Sequence, residues 1–220
     1  MASKGFAIRP RIIPPARTSL PYGLPVGADP SFGYHIPLVG PIPDAPDTSN
    51  QSGDFQVAMQ GTKPAGTLNI ELPSGDSSQV ILFGGCLGDS YVAIAQSRDR
   101  YLSFLKSFLQ LQDVVVGATI KATASDTYKL LNKRWSTCMD GGGYKIDDPL
   151  SAVGLFPGDT VTPAEVAEAS VDLSCKVQVD YERTATELTD AEVRSALERN
   201  PGVLEQWQQV EAEISANLSR

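Results

Sequence analysis

The chain has 220 residues, and its 18 Lys and Arg stand against 26 Asp and Glu, giving a formal charge of −8 that disfavours DNA, RNA and anionic membrane surfaces as partners. A hydrophobic share of 41 % and a charged share of 20 % belong to a folded chain that buries a core. No apolar run approaches the roughly 20 residues that span a bilayer, the longest being broken at Gly117, so no transmembrane segment is expected, and no export signal is visible at the amino terminus.

Residues 1–53 read as a long proline-rich arm. Pro10, Pro14, Pro15, Pro21, Pro25, Pro30, Pro37, Pro41, Pro43 and Pro46 fix too many φ angles and remove too many donors for helix or central strand. Ile12, Ile13, Leu20, Tyr22, Phe32, Tyr34 and Ile36 are interleaved with them, more apolar surface than a solvated linker needs. The arm is therefore expected to pack on the folded body and to end at the polar stretch Asp47–Gly53.

Residues 54–220 read as a mainly α domain with one small β-hairpin at 67–84. A short helix is predicted over Asp54–Gln60. Leu68, Ile70 and Leu72 alternate with polar partners, Pro73-Ser74-Gly75-Asp76 is a turn, and Val80–Phe83 is the return strand. Asp89 is read as the N-cap of a helix from Tyr91 to about Gln110, resuming from Val114 to Ala122. The next helix starts at Ser125-Asp126, carries Tyr128, Leu131, Trp135 and Cys138 on one face, and stops at a glycine triplet. Asp147–Thr160 reads as loop. Thr162-Pro163-Ala164-Glu165 is a capping box with proline at the first helical position, opening a helix on which Ala167, Val171 and Cys175 stack. Thr189-Asp190-Ala191-Glu192 reads as a second capping box, and Val203, Trp207, Val210, Ile214 and Leu218 form the stripe of a last amphipathic helix.

The three cysteines carry the most chemistry. Cys138 and Cys175 fall on apolar helix faces and are either buried free thiols or a disulfide stapling two helices. Met1, Gly5, Phe6 and Ile8 repeat the spacing of Met139, Gly143, Tyr144 and Ile146, and Cys138 immediately precedes the second copy. The chain is thus expected to begin inside a motif whose first residue is a cysteine upstream of Met1, which would pair with Cys86. The alternative rests on Gly84-Gly85-Cys86-Leu87-Gly88, which matches a nucleophile elbow with cysteine in place of serine and would need His35, the sole histidine, as its base.

Together these pieces resemble a family of secreted or lipid-anchored envelope proteins of unassigned function from high-GC Gram-positive bacteria, the actinobacteria. The matching elements are Met1 to Phe6, Tyr22-Gly23 or Phe32-Gly33-Tyr34, Gly85-Cys86, the string Trp135-Ser136-Thr137-Cys138-Met139 through Tyr144, and Asp172-Leu173-Ser174-Cys175. The resemblance implies an extracellular or cell-envelope location, with a cytoplasmic one as the alternative reading, and supplies no active-site residues.

Other candidates have plain structural readings. Trp135 and Trp207 lie on apolar helix stripes and are expected in cores. Asp147-Asp148 lacks the spaced oxygen ligands of a calcium loop and reads as a turn. The acidic residues Glu187, Glu192, Glu198, Glu205, Glu211 and Glu213 read as a solvated face. A lone His35 has no second ligand, so no metal or cofactor is expected. The expectation is a non-enzymatic extracellular or cell-envelope interaction protein, with an unknown protein or cell-wall component as partner. The alternative is a cysteine-dependent hydrolase using Cys86 and His35.

Overall fold

The computed structural model describes residues 23–35, 52–156 and 160–218. The mainly α expectation holds: the described residues form α1 (Gly53–Gln60), α2 (Gly85–Ala95), α3 (Arg98–Ala124), α4 (Asp126–Gly141), α5 (Pro149–Gly154), α6 (Pro163–Gln178), α7 (Tyr181–Arg199) and α8 (Pro201–Leu218), with one antiparallel hairpin, β1 (Gly66–Glu71) and β2 (Ser77–Leu82). Of the expected arm, residues 23–35 are described, and they include a 3-10 turn at Pro30–Phe32. The expectations for residues 1–22 and 36–51, including the motif at Met1–Phe6, lie outside the described residues.

The chain folds as two compact units, and α3 and α7 each contribute residues to both. The described part of the first lies within residues 52–118 and 193–218. Its hairpin pairs Gly66 with Leu82 and Glu71 with Ser77, which turns Ile70 and Leu82 inward. Its turn is fastened to α3, since Asp113 accepts from the Ser74 N–H at 2.9 Å and Gln110 Nε2 donates to the Glu71 carbonyl at 2.9 Å. Val114, Ala118 and Ala196 form a small core with Val193, Leu197 and Val203 against it, and Trp207 packs on Phe104 and Phe108.

Two helix boundaries differ from the sequence reading. Asp89 is no N-cap, because α2 begins four residues earlier at Gly85 with Gly84 as its cap. Gly85 holds φ +57°, and a Cβ there would lie 2.6 Å from the Gly61 nitrogen, so only glycine lets the strand turn into helix this close to the end of α1. The helix expected to run from Tyr91 to Gln110 breaks at Gln96, which is left-handed at φ 64°, and Ser97 Oγ then accepts the Arg100 N–H to start a new one. In turn the gap expected between Gln110 and Val114 does not exist, and α3 continues through Gly117 to Ala124.

The described part of the second unit lies within residues 23–35, 119–156 and 160–192. Ser125 caps α4, and Tyr128, Leu131, Trp135 and Met139 form its buried stripe. The capping box of α6 is present as read: Thr162 Oγ1 accepts the Glu165 N–H, and Glu165 accepts the Thr162 N–H. The loop expected over Asp147–Thr160 instead contains α5, because Asp148 accepts the Ser151 N–H at 3.0 Å and Pro149 occupies the first helical position. The second capping box does not exist. Thr189 sits inside α7, where the preceding turn supplies every acceptor, and its hydroxyl donates to the Ala185 carbonyl. Ala167, expected on the inner stripe of α6, is exposed.

Cys138 of α4 and Cys175 of α6 are bonded, with S–S 2.05 Å and Cα atoms 5.7 Å apart. Replacing both by Ser is expected to lower stability by about 2–4 kcal/mol in chemical denaturation, since the closed loop no longer restricts the unfolded chain. An unchanged midpoint would show that packing alone holds these helices together.

Candidate functional site

The inner face of α6 is built from charge. Glu165, Asp172 and Lys176 are fully buried and Glu168 is 6 % exposed, alongside Ala169 and Cys175. These positions are spaced by three and four residues, so they line one side of the helix. The sequence reading followed the apolar members of that helix and passed over the charged ones on its buried side.

Three of these four buried charges have a defined partner. Lys176 Nζ lies 2.8 Å from Asp172 Oδ2 and donates to the Leu24 carbonyl at 2.7 Å. Asp172 Oδ1 accepts the indole N–H of Trp135 at 2.9 Å. Glu165 Oε1 accepts the Tyr34 N–H at 2.8 Å, and His35 Nε2 lies 3.3 Å from the same oxygen. On α7, Glu182 accepts the Val26 N–H at 2.7 Å. Residues 24–34 are therefore held chiefly through their backbone, by a lysine on a carbonyl and two glutamates on amides. Gly33 makes this approach possible, because a Cβ there would meet Glu165 Oε1 at 2.3 Å and its φ is +55°.

Trp135 and Cys138 are three residues apart on α4, as are Asp172 and Cys175 on α6. The hydrogen bond and the disulfide each span 37 residues of chain. The Trp-x-x-Cys and Asp-x-x-Cys strings are thus two halves of one double tie, with indole on carboxylate and sulfur on sulfur one turn further along.

Burial shifts the ionisation of this cluster. It pushes the Asp172 carboxyl up and the Lys176 ammonium down, each opposed by the charge and hydrogen bond of the other. Glu168 is pushed up by burial and by the charges of Asp172 and Glu165, with the nearby Tyr34 hydroxyl opposing. Tyr34 itself is raised by burial and by Asp172, Glu168 and Glu165. The Tyr34 hydroxyl and Glu168 Oε1 are buried, and neither completes a well-formed hydrogen bond among the described residues.

The other residues singled out from the sequence are placed as follows. Cys86 is a free, half-buried thiol in the first turn of α2, its carbonyl accepting from Ser90 Oγ. It belongs to the first unit and His35 to the second, each with its own partners. Trp135 is fully buried, in agreement with its core reading, but its N–H is also committed to Asp172. Asp148 is a helix cap. Glu192, expected to be solvated, meets Lys121 at 2.5 Å, and Glu213 lies 3.6 Å from Arg100. Among the described residues no three His, Cys, Asp or Glu side chains are grouped to hold a metal, and no helix is long and apolar enough to cross a membrane. Comparison with family models, with curated proteins and with solved structures returned no match.

Lys176→Met should cost about 3–5 kcal/mol in chemical denaturation, because it strands the Asp172 charge in the interior. Adding Asp172→Asn should recover much of that loss, and a double variant as unstable as the single would show that the charge pair is not what the site needs.

Glu168 predicts a pH dependence of opposite sign to that of an ordinary paired carboxylate. Its raised pKa means that the folded state holds the proton more tightly, so its contribution is full below the ordinary value and lost as pH rises through the folded one. The groups facing it are Asp172, Glu165 and Tyr34, with His35 beside Glu165. Glu168→Gln should therefore melt at or above the wild-type temperature at neutral pH, with the difference closing on acidification. A variant that melts lower at neutral pH would mean that the carboxylate charge is favourable.

Proposed function

We propose that the chain is a non-enzymatic interaction protein of the cell envelope or extracellular space, as its resemblance to actinobacterial envelope proteins implies. The observation that carries the binding reading is an apolar strip on the first unit. Ile81 and Phe83 project from the same side of the return strand, Phe83 meets Tyr91 with ring centroids 6.5 Å apart, and Tyr91 stacks on Tyr101 at 5.4 Å. Ile81, Phe83, Tyr91 and Ile94 are all exposed. Beside them a groove of about 450 Å³ is lined by Leu82, Gly88, Val92, Arg98 and Tyr101, among others. Exposed apolar surface rimmed by polar groups is the usual mark of a protein contact.

The location reading draws on the disulfide, since such bonds persist in oxidising compartments. A binding role also accords with the inward use of charge: Glu165, Asp172 and Lys176 are fully buried and tied to structural partners. A protein partner is favoured over a wall glycan because the strip is aliphatic as well as aromatic. The test is co-sedimentation with isolated cell walls, before and after their proteins are stripped, using wild type and an Ile81→Asp, Phe83→Asp variant that melts normally. Binding that needs the wall proteins and fails in the variant supports the reading, while binding to stripped walls points to glycan. If His35→Ala markedly slows alkylation of Cys86, the hydrolase alternative replaces both.

A further inference from the structure

We propose that Asp172 and Lys176 condense inside the folded protein to an intramolecular amide, an isopeptide bond, with Trp135 as the donor that stabilises the reacting oxygen.

The reacting groups are already in contact and shielded from water. Nζ lies 2.8 Å from Oδ2, and both side chains are fully buried. The two residues are four apart on α6, a separation at which helical side chains are neighbours. Each partner is also aimed. Nζ donates to the Leu24 carbonyl at 2.7 Å, which directs one N–H away and leaves the lone pair of the neutral amine free to face the carboxyl carbon. Oδ1, the oxygen that is not against the amine, accepts the Trp135 N–H at 2.9 Å, where a donor stabilises the negative charge of a tetrahedral intermediate. Holding amine and carboxyl in this arrangement replaces an encounter in solution by an intramolecular step.

Burial favours the neutral forms that condensation requires, raising the carboxyl and lowering the ammonium. A proton passes from Nζ to Oδ2 along their hydrogen bond, giving amine and carboxylic acid. The amine lone pair then attacks the Asp172 carboxyl carbon, and charge moves onto Oδ1. The nitrogen then passes a second proton to Oδ2, which it already faces at 2.8 Å. The carbon–Oδ2 bond breaks and water leaves. No oxidant or cofactor is consumed. The amide retains both flanking interactions: its N–H still faces Leu24, and its oxygen still accepts from Trp135. Two buried charges are thereby removed, along with the desolvation cost of holding them.

The experiment is the intact mass of the reduced, denatured full chain, followed by tryptic mapping. The proposal expects a mass lighter than the sequence by one water. Trypsin should fail to cleave after Lys176, so that residues 146–183 appear as one peptide lacking that water, with fragmentation placing the loss between Asp172 and Lys176. Lys176→Arg should restore the full mass whether or not the variant folds well, because the reading is made on denatured chain. A wild-type mass equal to the sequence, or a water lost elsewhere, overturns the bond.

Discussion

The buried pairing of Asp172 with Lys176 organises the second unit, because each ion also binds a different part of the chain. Lys176 reaches the Leu24 carbonyl, and Asp172 reaches the Trp135 indole. A pair of ions taken out of water is costly by itself, and the extra hydrogen bonds decide whether it is tolerated. Residues 24–34, α4 and α6 therefore depend on one another: displacing any of them leaves a charged group without its full set of partners.

The disulfide works on the same pair of helices in a different way. Trp135–Asp172 is directional and needs folded geometry to exist, whereas Cys138–Cys175 acts chiefly by limiting the unfolded chain. Both ties advance by three residues on each helix, so neighbouring turns of α4 and α6 are matched in register and in direction. That register explains why tryptophan and aspartate each precede a cysteine by three. One arrangement aligns a hydrogen bond with a covalent one.

How much of this was legible in the sequence varies with the signal. Boundaries written in capping chemistry were read at Ser125 and at Thr162-Pro163, and the same signal at Asp148-Pro149 was passed over for lack of an apolar stripe behind it. Thr189 carried the right residues in the wrong place, because a capping box has meaning only where backbone donors are free, and α7 was already under way. The break at Gln96 and the early start at Gly85 come from close backbone approach and a left-handed residue, which periodicity does not encode. Apolar pattern located Trp135 and Cys175 as inward-facing, but Glu165, Glu168, Asp172 and Lys176 look solvated on any hydropathy scale. The backbone atoms of residues 24–34 pair with two buried charges on α6 and with the partly exposed Glu182 on α7, and those contacts are distant in sequence.

The two units build their interiors differently. The second turns charge inward and satisfies much of it with its own backbone, which suits a rigid element. The first leaves Ile81, Phe83, Tyr91 and Ile94 at the surface while its core rests on small contacts such as Val114, Ala118 and Ala196. Apolar side chains left in water at the end of a hairpin fastened by Asp113 and Gln110 cost solubility, and that cost is offset when a partner covers them. The hairpin anchors matter here because a partner binding a preformed surface loses little to ordering it. Fixed backbone beneath an exposed apolar strip is what the proposed recognition role asks of this unit.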